Sequence, residues 1–448
     1  MNVIFRFFLF MALLSLFGCG DNGCRVIFQE TSAWNTPVTL SADQDSSGGQ
    51  AVMDGEGNGL VVWGSDSRLY AKKYSVSQGW DSDMTRFDNA VLRAGALKIA
   101  MNENGEGVAV WRLEETGGDF FYARRFDMTS GWDDDAQRLC DNSYDGQRPD
   151  VSINSGGNIL TVFSKYTTND VYARSYTPGS DWDAGPTVID SLNRISNYPK
   201  VALDETGNGV AVWEQYDGTY TNAHATYFSK DTGWDGTVTM IDDPAVDGTV
   251  GQAYVLLNAD GSGAAFWDQQ NGASYEIYAR TFETGSTIQW DTGVFQVTSS
   301  TGYTHGARGA IAPDGTILIS WMVMDGTRYQ MYARSYSPAT GWAASAQLVS
   351  DDSLDLNVEA AFVAFDKDGK GLAVWSQDRE TEPAVYARDY TIGTGWSSEI
   401  QKVYEYPDGF GGLVTSLSMG PGGKTLITID YFDMPDYNSG QTMAIFSK

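Results

Sequence analysis

Tyrosines beside Asp, Asn and Gly recur in segments that otherwise differ along the chain. They occur as Tyr166, Tyr216, Tyr220, Tyr275, Tyr329, Tyr431 and Tyr437 in one group of segments, and as Tyr144, Tyr198, Tyr303, His305, Tyr406 and Phe410 in another. An aromatic face packs against the C–H groups of a sugar ring, and carboxylates and amides hydrogen-bond its hydroxyls. We predict ligand contacts at Tyr166, Tyr216, Tyr275, Tyr303, His305 and Tyr329. The alternative is that these rings only cover loop backbone.

A second set of candidates occupies a position that recurs four residues before a glycine-containing turn. Its members are Gln50, Lys98, Asp150, Lys200, Tyr254, Arg308, Phe362 and Ser416. Nearby positions keep small or aliphatic side chains, whereas this one is mostly polar and varies. We predict that Lys98, Lys200 and Arg308, together with Tyr254, bind an anionic or hydroxylated ligand. The eight positions, one from each copy, are expected to form a ring of side chains. The alternative is that this ring is solvated and binds no ligand.

Motifs for catalysis are scarce. The chain has 2 histidines, and His224 stands where other copies of a repeat carry Tyr, which indicates a structural role. We find no serine nucleophile elbow, HExxH motif or P-loop. A carboxylate pair for glycoside cleavage stays open among 58 acidic residues. The clusters Asp242-Asp243…Asp247 and Asp351-Asp352…Asp355 carry oxygen ligands suited to calcium. The prediction is that the protein has no cofactor or metal, and calcium at these clusters is the alternative.

These candidates belong to a unit that occurs eight times. Its turn glycine recurs at Gly57, Gly105, Gly157, Gly207, Gly261, Gly315, Gly369 and Gly423, which gives a period of about 50 residues. A bulky apolar residue follows six positions later, then a Tyr-Ala-Arg segment, then a Gly-Trp turn. All 14 tryptophans fall at two positions of the unit. They are therefore predicted to pack between units rather than to bind ligands.

Each unit contains four predicted strands. In one copy, residues 199–204 alternate, residues 209–213 follow the turn, and residues 223–228 and 237–241 flank Gly233-Trp234. Four antiparallel strands per unit predict an all-β fold, an eight-bladed β-propeller. The strand order resembles the wiring of WD-type propellers, which implies that the first strand is innermost. The repeated Arg124, Arg174, Arg280, Arg334 and Arg388 are predicted to form a structural ladder that binds carbonyls or aromatic faces.

The two ends of the chain are predicted to close the ring. Residues 36–42 form a fourth strand with no unit of its own, and the chain stops after a third strand, 442–447. Pairing of 36–42 with 441–447 would leave no exposed sheet edge. The alternative is eight units without this overlap, each beginning at its Gly-Trp turn. In either case the loops that vary between units share one rim of the propeller, where function is expected.

The N-terminus predicts export. Arg6 precedes an apolar run that is too short to span a bilayer, which needs about 20 residues. The run ends in Leu16-Phe17-Gly18-Cys19, which resembles the bacterial lipobox. The resemblance implies a signal peptide at 1–18, acyl chains such as palmitate on Cys19, and a tether at 19–33 before the propeller at 34–448. Gly20 implies the outer membrane of a Gram-negative cell. The alternative is a plain secretory signal.

Charge and cysteine content restrict the function further. A net charge of −29 argues against nucleic acid and against docking on anionic lipid, so the membrane contact predicted is the acyl anchor alone. Cys24 and Cys140 either form a disulfide or stay as thiols. The aromatic loops resemble those of propeller lectins, which implies a monomeric envelope protein that binds glycan or a protein surface. The alternatives are an envelope assembly scaffold and a glycan-cleaving hydrolase or lyase.

Overall fold

In every sheet of this protein, two paired strands are joined by a turn that contains glycine at positive φ, from Gly57 in the first sheet to Gly423 in the last. The computed structural model describes residues 33–41, 46–89, 92–140, 148–165, 168–190, 194–243, 246, 248–272, 274–298, 302–351, 357–377, 383–433 and 440–447. These residues form eight antiparallel sheets of four radial layers each, the blades of a β-propeller. The predicted fold class is confirmed. Within the described ranges, no helix has the length and hydropathy needed to cross a membrane.

We name the strands of each blade a to d, from the centre outward. Strands a are Ser46–Met53, Ala94–Met101, Asp150–Ile153, Ser196–Leu203, Val250–Leu257, Thr304–Ile311, Val358–Phe365 and Phe410–Met419. Strands b are Gly59–Ser65, Glu106–Glu115, Ile159–Lys165, Gly209–Tyr216, Ser262–Asn271, Ile317–Asp325, Lys370–Gln377 and Thr425–Asp433. Strands c are Arg68–Ser75, Gly118–Asp127, Asp170–Thr177, Thr221–Ser229, Ser274–Glu283, Arg328–Ser337, Ala384–Thr391 and Gly440–Phe446. A short 3-10 turn, Pro421–Gly423, joins strands a and b of blade 8.

The outermost layer departs from the prediction. The Gly-Trp segments pair with strand c themselves, as Gly79–Trp80, Gly131–Trp132, Asp181–Trp182, Gly233–Trp234, Gln289–Trp290, Gly341–Trp342 and Gly395–Trp396. A second short strand then pairs with the same edge: Thr85–Arg86, Gln137–Arg138, Thr187–Val188, Thr239–Met240, Phe295–Gln296, Gln347–Leu348 and Gln401–Glu405. Strand d is thus two pieces rather than one strand after a turn, because the chain leaves the edge of strand c after the tryptophan, as at Trp234, and pairs with it again from Thr239.

The N-terminal strand completes blade 8, as predicted. Val38–Thr39 pairs antiparallel with strand c of that blade, with Val38 opposite Ala444. Trp34 bridges Ser447, in the place that a Gly-Trp pair holds in other blades. The Trp34 side chain is buried with Ile427 and Ile445. The first and last strands therefore share one sheet.

Tryptophans and arginines hold the blades together. Trp213 packs on Leu160 and Val162 of the preceding blade, and the five other strand-b tryptophans are equally buried. The arginine ladder binds carbonyls: Arg334 donates from Nε to the Ala343 oxygen (2.7 Å) and from Nη1 to the Val297 oxygen of the preceding blade (2.9 Å). Arg124, Arg174 and Arg388 also reach the preceding blade. The predicted packing of tryptophans between blades and the predicted structural role of the arginines are therefore confirmed.

A polar residue after strand d supports strand c, which the sequence pattern did not indicate. Asp242 accepts a hydrogen bond from the Ala223 nitrogen (3.0 Å), and Asp190 accepts one from Val171 (3.1 Å). Cys140 fills the same position in blade 2, where its Sγ accepts a hydrogen bond from the Phe121 nitrogen (3.4 Å). Cys140 is therefore a buried structural side chain. Cys24 lies outside the described residues, so both alternatives, a disulfide and two thiols, stay open.

Candidate functional site

The eight strands a enclose the central channel, and most of them are irregular near its mouth on the variable rim. Each strand a contacts those of both neighbouring blades, and blade 8 contacts blade 1. The register between strands a and b shifts just before Gln50, Lys98, Lys200 and Arg308. The backbone is left-handed two residues before five of the ring positions, at Gly48, Ala96, Arg148, Tyr198 and Gly306. Such bulges re-aim side chains, and strained backbone persists where the surroundings hold it.

Tyr254 and Arg308 line one cavity of about 430 Å³ at the mouth. Arg308 Nη1 donates a hydrogen bond to the Tyr254 hydroxyl (3.1 Å), which in turn donates to Gln252 Oε1 (2.5 Å). The Tyr254 ring stacks on Phe266 with centroids 5.2 Å apart. The two predicted ligand contacts therefore form one supported unit.

Arg308 also lines a second cavity, of about 540 Å³, on the side of blades 1, 2, 7 and 8. Lys98, Gln50, Phe362 and Ser416 contribute to its wall. Burial and the charge of Lys200 lower the pKa of Lys98. Arg308 thus stands between two cavities of the mouth, with Lys98 facing it from the second one.

Other ring members serve the structure instead. The Asp150 carboxylate accepts a hydrogen bond from the Val201 nitrogen (3.1 Å) and lies 3.8 Å from Lys200 Nζ. Gln50 donates to the Leu97 oxygen (2.6 Å), and the Ser416 hydroxyl accepts from Ala51 (2.7 Å). These side chains join neighbouring strands a.

Four of the predicted rim residues meet in one row, which we call the aromatic ladder: Tyr275, Tyr303, His305 and Tyr329. Ring centroids along it lie 6.0, 5.6 and 4.8 Å apart. Tyr303 is 50% exposed, whereas His305 Nδ1 is buried without a hydrogen-bond partner in the described part of the chain. Burial lowers the pKa of His305 and keeps the ring neutral. The ladder presents aromatic faces and edges at the rim.

The remaining residues predicted from the sequence either lie apart from the aromatic ladder or fall outside the described residues. Tyr216 is 38% exposed and donates a hydrogen bond to the Gly218 oxygen (2.7 Å), so its hydroxyl is occupied within its own loop. Tyr166 and Cys19 lie outside the described residues.

Two carboxyl groups at the mouth were missed by the sequence analysis. Glu214 and Asp268 each follow the bulky residue of strand b and line the same cavity as Arg308. Glu214 is only 8% exposed, and its Oε1 has no hydrogen-bond partner among the described residues. The Asp268 carboxylate rests on Gly251, where a Cβ would collide with it. The signal available was that this position is acidic only in blades 4, 5 and 8.

The acidic residue of blade 8 behaves differently. Asp430 accepts a hydrogen bond from the Gly48 nitrogen of blade 1 (2.9 Å) and another from Thr442 (3.4 Å). Its carboxylate therefore joins the first and last blades. Among the described residues, Oε1 of Glu214 has no such partner, so the Glu214 carboxyl is not held between blades in the same way.

The predicted calcium clusters are only partly described. Asp242 supports strand c, as shown above, and Asp247, Asp352 and Asp355 lie outside the described residues. Among all the described residues, those of these clusters included, no group of three or more His, Cys, Asp or Glu side chains is placed to hold a metal ion. Calcium binding stays an open alternative to the prediction that the protein has no cofactor.

Comparison with known proteins finds resemblance at the level of the fold. No protein-family model and no curated protein sequence matches the chain. An α-L-arabinanase from Penicillium chrysogenum is 12% identical over 67% of this chain and 92% of that one, with a TM-score of 0.41. An ulvan lyase is 12% identical over 81% and 98%, with a TM-score of 0.49. Prolyl oligopeptidase B from Galerina marginata is 12% identical over 88% of this chain and 56% of that chain, with a TM-score of 0.48. These values carry no information on the ligand of this chain.

Proposed function

We propose that this chain is an exported, lipid-anchored protein of the bacterial envelope that binds glycan on the variable rim of its propeller. One observation carries the proposal: a single strand, Thr304–Ile311, bears both His305 of the aromatic ladder and Arg308 of the channel mouth. Aromatic faces for sugar rings and charged groups for their substituents are thus held side by side on a rigid element.

Local charge favours a ligand with anionic groups. The chain as a whole carries −29, yet, beyond the effect of burial, the charges of Lys200 and Arg308 both act on Lys98 at the mouth and lower its pKa. A cluster of cations within an acidic surface attracts an anion to that point and away from the rest of the molecule.

A glycan array tests the proposal. The full-length protein in detergent should bind a set of glycans, probed once with calcium and once with a chelator. A variant with Tyr303→Ala and Arg308→Ala together should lose the same spots. A blank array together with a specific crosslink to one envelope protein would favour the assembly scaffold, and new sugar ends released from a bound glycan would reveal cleavage.

The anchor has its own test. Cys19→Ser should abolish incorporation of labelled palmitate and move the protein from the outer-membrane fraction to a soluble one. Cys24→Ser is the matched control and should leave both unchanged. Continued labelling of Cys19→Ser would contradict lipidation at this residue.

A further inference from the structure

The carboxyl groups of Glu214 and Asp268 share the mouth cavity with a guanidinium. Glu214 lies on strand b of blade 4 and pairs with Asn197, in the irregular part of strand a. Asp268 has the same place in blade 5, where it accepts a hydrogen bond from the Gln252 backbone. Arg308 of blade 6 lines the same cavity. Three consecutive blades therefore bring these groups together.

The surroundings of Glu214 determine its charge. Asp268 faces it from blade 5, Arg148 from the segment before blade 3, and Lys200 from its own blade. Tyr198, Tyr254 and Arg308 complete the cavity wall. Burial and the Asp268 carboxylate raise the pKa of Glu214 to about 8, although Arg148 and Lys200 act in the opposite direction. Glu214 is thus a neutral carboxylic acid at pH 7, with one O–H to donate.

We propose that Glu214 and Arg308 form a subsite for the carboxylate of an acidic glycan, such as a uronate residue. The Glu214 O–H donates to one ligand oxygen, and the Nε and Nη2 groups of Arg308 donate to the ligand as well. Hydrogen bonds from a carboxylic acid to a carboxylate are short and strong. This inference rests on the proposed glycan binding and names its ligand class.

Arg308 retains the donors that this subsite needs. Its hydrogen bonds to the Tyr254 hydroxyl and to the Ala307 oxygen both start from Nη1. Within the described residues, Nε and Nη2 are therefore available to a ligand. The aromatic ladder includes His305, which lies on the same strand as Arg308. It favours a sugar acid over an acidic peptide, because it offers a surface for sugar rings of the same chain.

The subsite should respond to pH in a way that depends on the ligand. Ionisation of Glu214 removes the donated hydrogen and places a negative charge beside the ligand carboxylate, so acidic glycan should bind more weakly above about pH 8. A neutral glycan should not lose affinity, because an ionised Glu214 still accepts hydrogen bonds from hydroxyls.

Calorimetric titration of the full-length protein in detergent tests this, with trigalacturonate and neutral galactotriose as probes. Trigalacturonate should bind the wild type about tenfold more weakly near pH 9.5 than near pH 6.5. Glu214→Gln keeps a donor and stays neutral. The affinity of this variant for trigalacturonate should therefore fall by no more than about threefold over the same pH interval. Lys98→Gln should keep the wild-type slope, which separates the titration of Lys98 from that of Glu214. Glu399→Gln, an exposed site between the two pieces of strand d on the outer edge of blade 7, is the matched control.

The outcomes are distinct. An equal pH slope in Glu214→Gln and wild type, or a loss of galactotriose affinity equal to that of trigalacturonate, would overturn the subsite while leaving glycan binding intact. Failure of the wild type to bind either sugar would overturn the proposed function and the subsite together. Binding of triglutamate with the predicted slope, but not of trigalacturonate, would reassign the subsite to an acidic peptide.

Discussion

Arg308 and Tyr254 join the innermost strands of blades 6 and 5 at the channel mouth, through a hydrogen bond of 3.1 Å from Nη1 to the phenolic oxygen. The Tyr254 ring is fixed in turn by Phe266 and Gln252. The guanidinium also lies 5.6 Å from the ring centroid of Phe362 on blade 7. A long and flexible side chain is therefore held between three blades, which lowers the entropic cost of using it to bind a ligand.

Removal of the mouth cations should weaken binding of an anionic glycan. The triple variant Lys98→Ala, Lys200→Ala and Arg308→Ala should bind trigalacturonate about 10- to 100-fold more weakly at neutral pH, because charge-assisted hydrogen bonds and local attraction are both lost. Calorimetry measures the change.

The control for that variant removes the same charge elsewhere. Lys230, Lys367 and Lys370 are exposed on the rim of the a–b turns and Gly-Trp segments, and their triple replacement by alanine should leave the affinity within about twofold. An equal loss in both triple variants would mean that net charge, rather than the mouth, governs binding.

The aromatic ladder should contribute separately from the cations. Tyr303→Ala removes its most exposed ring and should weaken binding of both trigalacturonate and galactotriose by about 3- to 10-fold, since one aromatic contact contributes about 0.5–1.5 kcal/mol. Tyr220→Ala removes another exposed tyrosine, 39% accessible, from the rim of blade 4 and serves as the control. A similar loss in both variants would contradict a specific role for the ladder.

The architecture could be predicted because the same pattern of turn glycine, bulky apolar residue and Gly-Trp segment recurs in the sequence about every 50 residues. Trp213 and its equivalents mark a packing position, and the surplus Trp34 with residues 36–42 revealed the ring closure. The two-piece strand d could not be predicted, because Gly233–Trp234 has the residue types of a turn and pairs only when strand c presents its edge.

The site could be predicted only in part. Arg308 and Tyr254 stood out because their repeat position is polar and variable, and the structure places them together. Glu214 and Asp268 were missed because side chains alternate between the two faces of the sheet along strand b. This alternation alone predicts no side chain that reaches the channel mouth. The bulge of strand a in blade 4, with Tyr198 in a left-handed conformation, lies opposite Glu214, and a separate register shift in blade 5 lies opposite Asp268. Such irregularities depend on tertiary contacts and leave little trace in periodicity.

Ring closure should be essential for cooperative folding. Deletion of residues 25–43 removes Trp34 and Val38–Thr39 and leaves the edge of strand Gly440–Phe446 unpaired. We expect a lower melting temperature in calorimetry and concentration-dependent aggregation in light scattering. Deletion of residues 25–32 alone keeps the described closing contacts and should melt like the wild type. Identical melting of both deletions would contradict closure by the N-terminal strand.

Buried aspartates should make the propeller more stable in mild acid than at neutral pH. Burial raises the pKa of Asp190 and of Asp242 from 3.8 to about 6, so the folded state binds more protons than the unfolded chain between those values. The free energy of unfolding should therefore fall as pH rises from about 4 to about 6, by about 1–3 kcal/mol for each group.

Asp242→Asn keeps an acceptor for the Ala223 nitrogen and should flatten this part of the profile. Asp231→Asn, on an exposed turn, should leave it unchanged. Urea unfolding at closely spaced pH values measures the slope, and an unaltered profile in Asp242→Asn would show that its carboxyl does not titrate in this window.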